Sequence, residues 1–260
     1  MAEMESRKFK TRSDLRDRVS HHRDRWGVYC IGFPSGTLPV FYGLYKMSIK
    51  LIKDLGGVWS RPFVTDGDPY NIDGAIIGLN PATPIPTDYV SKKELYRLIQ
   101  NRPGFESWYG KYRLEIDKSL KSRTRFRLGL IIAGLPRVNF TETNVNAYPT
   151  EGDEKLKGSA HEKEEGADIA KTYLSQIQPK IVIIHHRLAL AAIQELDFFI
   201  LGEKFHELDE FTKHHVDAHW NGAPMPTFSL PALAARSRGW SDKKIQEIVK
   251  KIKTVSDPIV

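Results

Sequence analysis

Gly74-Ala75-Ile76-Ile77-Gly78-Leu79-Asn80-Pro81 is the stretch whose reading decides the fold. Its apolar run is short, lacks a 3.6-residue period and ends in the turn-forming pair Asn-Pro, so it reads as a strand buried on both faces that opens into a loop. Three further runs read the same way: Thr143 to Ala147, Lys180 to His185 (KIVIIH) and Pro226 to Leu230. The helix-like stretches FRLGLIIAGL, ADIAKTYLSQI and LALAAIQEL separate them. Alternation of this kind predicts an α/β protein with a parallel sheet covered on both faces. A last helix is expected from Asp242 to Lys253, with Ser241 as N-cap and Ile245, Ile248, Val249 and Ile252 on one face. Upstream, KMSIKLIKDLG reads as a helix ended by glycine, inside an aromatic- and turn-rich N-terminal layer from Trp26 to Pro69.

The chain has 260 residues, 40% hydrophobic and 27% charged, which suits one globular domain over 1–260 with decorations. The decorations are a basic arm or exposed helix over 1–25 and an exposed polar loop over 150–166. No apolar run approaches the ~18 residues of a membrane span, and Met1 to Ser20 has no signal-like apolar region, so neither a membrane nor secretion is expected. Cys30 is the single cysteine, which excludes disulfides, thiolate zinc sites and a four-cysteine iron–sulfur cluster within one chain. A reducing cytoplasm fits, and no cofactor is implied. The net charge of +7 favours a polyanionic partner. Between Lys118 and Arg127 the segment KSLKSRTRFR carries five basic residues and no acid, either a phosphate-binding patch or a solvated helix face.

Open parallel sheets bind ligands beyond the carboxyl ends of their strands. The residues there are Asn80, Asn146 with Tyr148, His185 with His186, and Ser229 to Arg236. GLNPA at 78–82, TNVNAYPT at 143–150, IVIIHHRLALAAI at 181–193 and FSLPALAAR at 228–236 fall in the order of the uracil-DNA glycosylase superfamily, which the chain resembles over roughly 70–253. The resemblance implies a three-layer αβα sandwich around a mainly parallel four-stranded sheet, DNA as partner, a monomer, and hydrolysis of the bond between a flipped base and its sugar. Gly78, Leu79 and Asn80 resemble the water-activating loop, which reads G-x-N-P-G in the mismatch-specific branch and G-Q-D-P-Y in the uracil-specific branch. Asn80 takes the catalytic position, where an amide orients a water but cannot take its proton as a carboxylate does. Asn146 matches the family asparagine that reads the flipped base, with Asn144 as its rival; an amide offers both donors and an acceptor to a pyrimidine edge.

The fourth motif resembles the minor-groove loop that commonly reads H-P-S-P-L. Ser229 stands where the family often has a leaving-group histidine, and Leu233 takes the place of the apolar wedge. Arg236 and Arg238 follow as phosphate contacts, with Arg123 and Arg127 from the basic stretch. His185 or His186 can supply the donor that Ser229 lacks. Phe105 and Tyr109, from the aromatic run PGFESWYGKY, are candidates to stack on the base. His214, His215 and His219 have spacing that invites a zinc reading, but KHHVDAHW equally suits a wet surface helix and no HExxH occurs, so no metal is expected. In the uracil-specific branch a tyrosine two residues after the catalytic position closes the pocket against C5 substituents. Here that position is Ala82, so a C5-modified or mismatched pyrimidine is expected, in defence against phage DNA or in repair of deaminated bases. A non-catalytic DNA-binding module and an unrelated nucleotide-handling enzyme are the alternatives; the second lacks a glycine-rich phosphate loop.

Overall fold

The GAIIG run is an interior strand of the sheet, for the reason its composition suggests: every residue of it is buried. In this computed structural model the described residues are 48–150, 160–234 and 239–256. All of them fall within one compact unit, residues 42–260. The basic arm expected over 1–25 lies outside the described residues, as do Arg236 and Arg238. The strands are β1 (Phe63–Val64), β2 (Gly74–Gly78), β3 (Phe140–Asn144), β4 (Ile181–His185), β5 (Phe199–Ile200), β6 (Phe205–Glu207), β7 (Lys213–His215), β8 (His219–Trp220), β9 (Ala223–Pro224) and β10 (Thr227–Leu230). The helices are α1 (Lys92–Ile99), α2 (Arg102–Glu115), α3 (Arg123–Gly134), α4 (Ala160–Gln176), α5 (Arg187–Gln194) and α6 (Asp242–Ser256).

The sheet is mixed and seven-stranded, in the order β1-β3-β2-β4-β10-β7-β6, rather than four-stranded. β2 pairs in parallel with β3 and β4, and β10 in parallel with β4. The additional strands β1 and β7 pair antiparallel at either side of these, and β6 continues from β7. Side chains alternate along the strands between two apolar clusters, as the period of two demands. Ala75, Ile77, Val182 and Ile184 join Leu95, Phe105, Tyr173 and Ile193 on one face. Ile76, Ile181, Ile183 and Phe228 join Leu128, Ile131, Ile245 and Val249 from α3 and α6 on the other. Those two helices approach closely at Gly134, where a Cβ would meet Val249 Cγ1 at 2.2 Å. Ser241 caps α6 as expected, accepting from Lys244 N at 3.1 Å.

Four local expectations are corrected. The second strand spans Phe140–Asn144, so Val145, Asn146 and Ala147 lie past its end. Its residues FTETN look polar, but Thr141 pairs with the Tyr173 hydroxyl at 2.8 Å and Thr143 donates to Pro62 O at 2.6 Å, which lets a threonine-rich strand be buried. The segment KHHVDAHW forms β7 and β8 rather than a helix; His215 faces inward while His214 stacks on Phe228 at 4.9 Å, a period of two. Residues 160–166 of the supposed loop belong to α4, with Gly166 buried; 151–159 lie outside the described residues. In KMSIKLIKDLG the described helical residues end at Lys50, ahead of Gly56. No helix among the described residues is long and apolar enough to cross a membrane.

Candidate active site

Four parallel strands end side by side, β2 at Gly78, β3 at Asn144, β4 at His185 and β10 at Leu230. Asn144 of β3 pairs with Gly78 of β2, and Leu230 of β10 pairs with His185 of β4. A Cβ at Gly78 would stand 2.8 Å from Asn144 Oδ1 and 2.8 Å from His185 Nε2. Two polar side chains therefore converge over a residue that has none, and glycine is required for their approach.

Beyond these ends lies a cleft of about 300 Å³. Asn80 lines it from the loop after β2, where its Nδ2 donates to Thr150 Oγ1. Thr150 is held in turn by a bond from its own N–H to Pro81 O at 2.9 Å. The loops after β2 and β3 are thus tied to each other, which fixes the amide plane; the Asn80 side-chain carbonyl oxygen carries no bond among the described residues. Ala82 is exposed in the cleft wall and Tyr109 is almost buried in it. His186 also lines the cleft with φ of 100°, a conformation rare for a residue with a Cβ. It caps α5 by accepting from Leu188 N at 3.2 Å.

The cleft is cationic. Arg61, Arg113 and Arg125 line it, against one carboxylate, Glu142. The N-terminus of α3 faces it through Ser122 and Thr124, adding the positive end of a helix dipole. Glu142 is bound to Arg125 and lies 3.0 Å from Arg102 Nε. Arg113 is tied to Thr83 Oγ1 at 2.9 Å and to Ser119 O at 2.9 Å. Burial opposes ionisation of the Tyr109 hydroxyl, but the Arg61 charge and hydrogen bond, with Thr83 and Arg113, hold its pKa below the usual tyrosine value.

The His185 pKa is pushed down to about 4, by burial first and then by His186 and Arg125. Its ring is therefore neutral at physiological pH and can offer a hydrogen bond but no charge. An unfolded imidazole titrates near 6.5, so between about pH 6.5 and about 4 the unfolded chain holds a proton that the folded chain refuses. The contribution is complete above that window and is lost as pH falls through it, by at most about 3 kcal/mol. Denaturant unfolding at about pH 7.5 and about pH 4.5 should show a smaller acid loss for His185→Gln than for wild type; equal losses would assign the effect to other groups.

The cleft brings together Leu79, Asn80, Ala82, Tyr109, His185, His186 and Leu233, with Gly78 behind them. Other expected residues are placed differently from what their motifs imply. Ser229 lies within β10, pairs with His215 Nε2 at 3.1 Å and does not line the cleft; strand alternation turns it to the face opposite Phe228 and Leu230. Leu233 is fully buried in the cluster under α3 and α6, so in this conformation it is packing and not a wedge. Asn146 uses its amide locally, donating to Lys163 O at 3.0 Å and accepting from Tyr148 N at 2.8 Å, so it is Asn144 that faces the cleft. Tyr148 turns away toward Glu162, 3.4 Å from its hydroxyl. Phe105 is wholly in the core. Arg123 is exposed on α3, whereas Arg127 is engaged with Leu233 O and lies 5.7 Å from the Trp240 ring.

Sequence reasoning missed Arg61, Arg113, Glu142 and Thr150; Thr150 lies inside a quoted motif and was the easiest to find. Among the described residues no group of three or more His, Cys, Asp or Glu side chains is placed to hold a metal ion. No family model and no curated protein matches the chain.

Proposed function

We propose that this protein is a DNA glycosylase, which draws a modified or mismatched base out of DNA into the cleft and hydrolyses its N-glycosidic bond to leave an abasic site. The observation that carries the reading is the convergence of Asn80, Asn144 and His185 at the carboxyl ends of β2, β3 and β4. Two helical layers about a sheet with a parallel centre support the three-layer uracil-DNA glycosylase-like architecture. Asn144, with donors and an acceptor on one amide, reads the edge of the extruded base. Asn80, its plane held by Thr150, presents its carbonyl oxygen to the attacking water, beneath the sugar carbon where positive charge develops. The neutral His185 imidazole donates to the departing base, which carries negative charge, and the α3 N-terminus and guanidinium groups favour that charge. His186 is the second candidate donor, replacing Ser229 in that role. The exposed Arg123 and the basic stretch before it meet DNA phosphates, and a DNA-associated monomer is proposed.

Abasic-site formation on labelled duplexes carrying uracil, hypoxanthine, methylated, hydroxymethylated or glucosylated bases tests this directly. Release of none of them, from a protein that still binds DNA, would favour the non-catalytic module.

Ala82 is exposed in the cleft wall, where a larger side chain would project into the space a base needs. Ala82→Tyr should therefore lower kcat/KM for C5-substituted bases far more than for uracil, by about a hundredfold if some 3 kcal/mol of transition-state binding is lost. Comparing two bases on one protein separates a pocket effect from a general loss of folding. Equal reductions for both bases, with unchanged melting, would reduce Ala82 to a packing residue. The same open wall favours C5-modified cytosine in phage DNA as substrate, with repair of deaminated bases as the other use of the site.

A further inference from the structure

We propose that Arg61 forms an oxyanion-binding subsite in the wall of the cleft, so that the occupant must present an anionic oxygen to its guanidinium. Arg61 is 7% exposed and lines the cleft. Its Nη1 is buried with no hydrogen-bond partner among the described residues. The carboxylate that shares the cleft, Glu142, is already bound by Arg102 and Arg125 and leaves no charge for a third cation. The guanidinium carbon lies 4.9 Å from the Tyr109 ring centroid and 5.7 Å from that of Phe105. Those rings hold the group in place and offset part of its desolvation, and the Tyr109 hydroxyl bonds to it, yet Nη1 itself is left without an acceptor.

A buried cation without a counter-charge is costly, whereas one that meets its counter-charge in a ligand gains a strong, directed bond. Arginine suits this better than lysine, because its planar fork stays charged and has donors to spare when one edge faces an aromatic wall. Tyr109 carries the subsite to the loop after Asn80, since its hydroxyl donates to Thr83 O at 3.3 Å, next to Ala82. Arg61, Tyr109 and Ala82 line the same cleft. For the occupant being a nucleotide the inference rests on the base-excision reading; the subsite itself needs no turnover to be observed. The anionic oxygen has two sources, a substituent on the base or a phosphate of the nucleotide.

Calorimetric titration and thermal shift with free ligands at low salt separate these. The probes are 5-carboxyuracil, inorganic phosphate and, as the neutral control, thymine. At least one anion is expected to bind about tenfold or more tightly than thymine and to raise the melting temperature. Tighter 5-carboxyuracil assigns the oxygen to the base, and tighter phosphate assigns it to the nucleotide backbone. Arg61→Met should abolish the preference while melting at or above the wild-type temperature, because an unpaired buried charge is replaced by an apolar chain of similar length. Arg61→Lys should keep part of it, as a point charge without the fork. No preference for either anion in the wild type, or a preference that survives in Arg61→Met, overturns the proposal. Abasic-site formation is scored separately, so an Arg61-dependent preference without base release keeps the subsite and removes the glycosylase, and the converse removes the subsite alone.

Discussion

Asn80→Ala is expected to slow base release by at least about a hundredfold while DNA affinity stays within a few-fold. The side chain lies in the cleft and not on the basic surface of α3, so its loss removes a positioned acceptor and no phosphate contact. Its amide is fixed by Thr150, whose backbone is fixed by Pro81, and a group oriented in advance loses little in reaching the transition state. Asn80→Asp separates positioning from mere presence. A carboxylate there keeps the acceptor, can receive the Thr150 hydroxyl and can take the water's proton, so its rate should equal or exceed wild type. Single-turnover abasic-site formation, paired with equilibrium binding of the same duplex, gives both quantities. Weakened binding with unchanged chemistry in Asn80→Ala would move Asn80 from the water to the DNA.

The second large effect is on stability. Glu142→Ala is expected to cost about 3–5 kcal/mol, because it takes the carboxylate from a largely buried Arg102 and leaves Arg125 only the more distant Glu106, 3.8 Å away. The Glu142 side chain is 8% exposed, and those of Arg102 and Arg125 are 11% and 14% exposed. For a domain of this size that loss corresponds to a fall in melting temperature of roughly 10 °C. Arg125→Leu should cost less, since Arg102 still neutralises Glu142, and Glu142→Gln should fall between the two. Denaturant unfolding of the three variants checks the ranking. If Glu142→Ala melts within a degree or two of wild type, solvent reaches the cluster far more than its burial implies.

Much of the core was legible because its residues carry their own signal. GAIIG and IVIIH are apolar on both faces, which suits a strand covered on both sides, and their positions in β2 and β4 follow. Asn80 and His185 were legible as cleft residues because each lies at or just past a strand terminus, and Tyr109 because it stands in an aromatic run, PGFESWYGKY. The strand FTETN was misplaced because threonine reads as polar; only Pro62 and Tyr173, 81 and 32 residues away in sequence, make its hydroxyls satisfied and buried. Arg61 and Glu142 had no local signal, since an arginine before a proline and a glutamate between threonines look like surface residues until distant cations and rings surround them.

By itself the sequence determined the alternation of strands and helices, the central strands β2 and β4 and the loop that carries Asn80, because short-range pattern and turn chemistry act within a few residues. Tertiary structure alone decided which of two nearby asparagines faces the cleft, that Ser229 pairs with His215 and Leu233 packs into the core, and where uncompensated charge collects. A shift of one residue at a strand end reverses the face a side chain presents, and burial is a property of what packs around a residue from far along the chain.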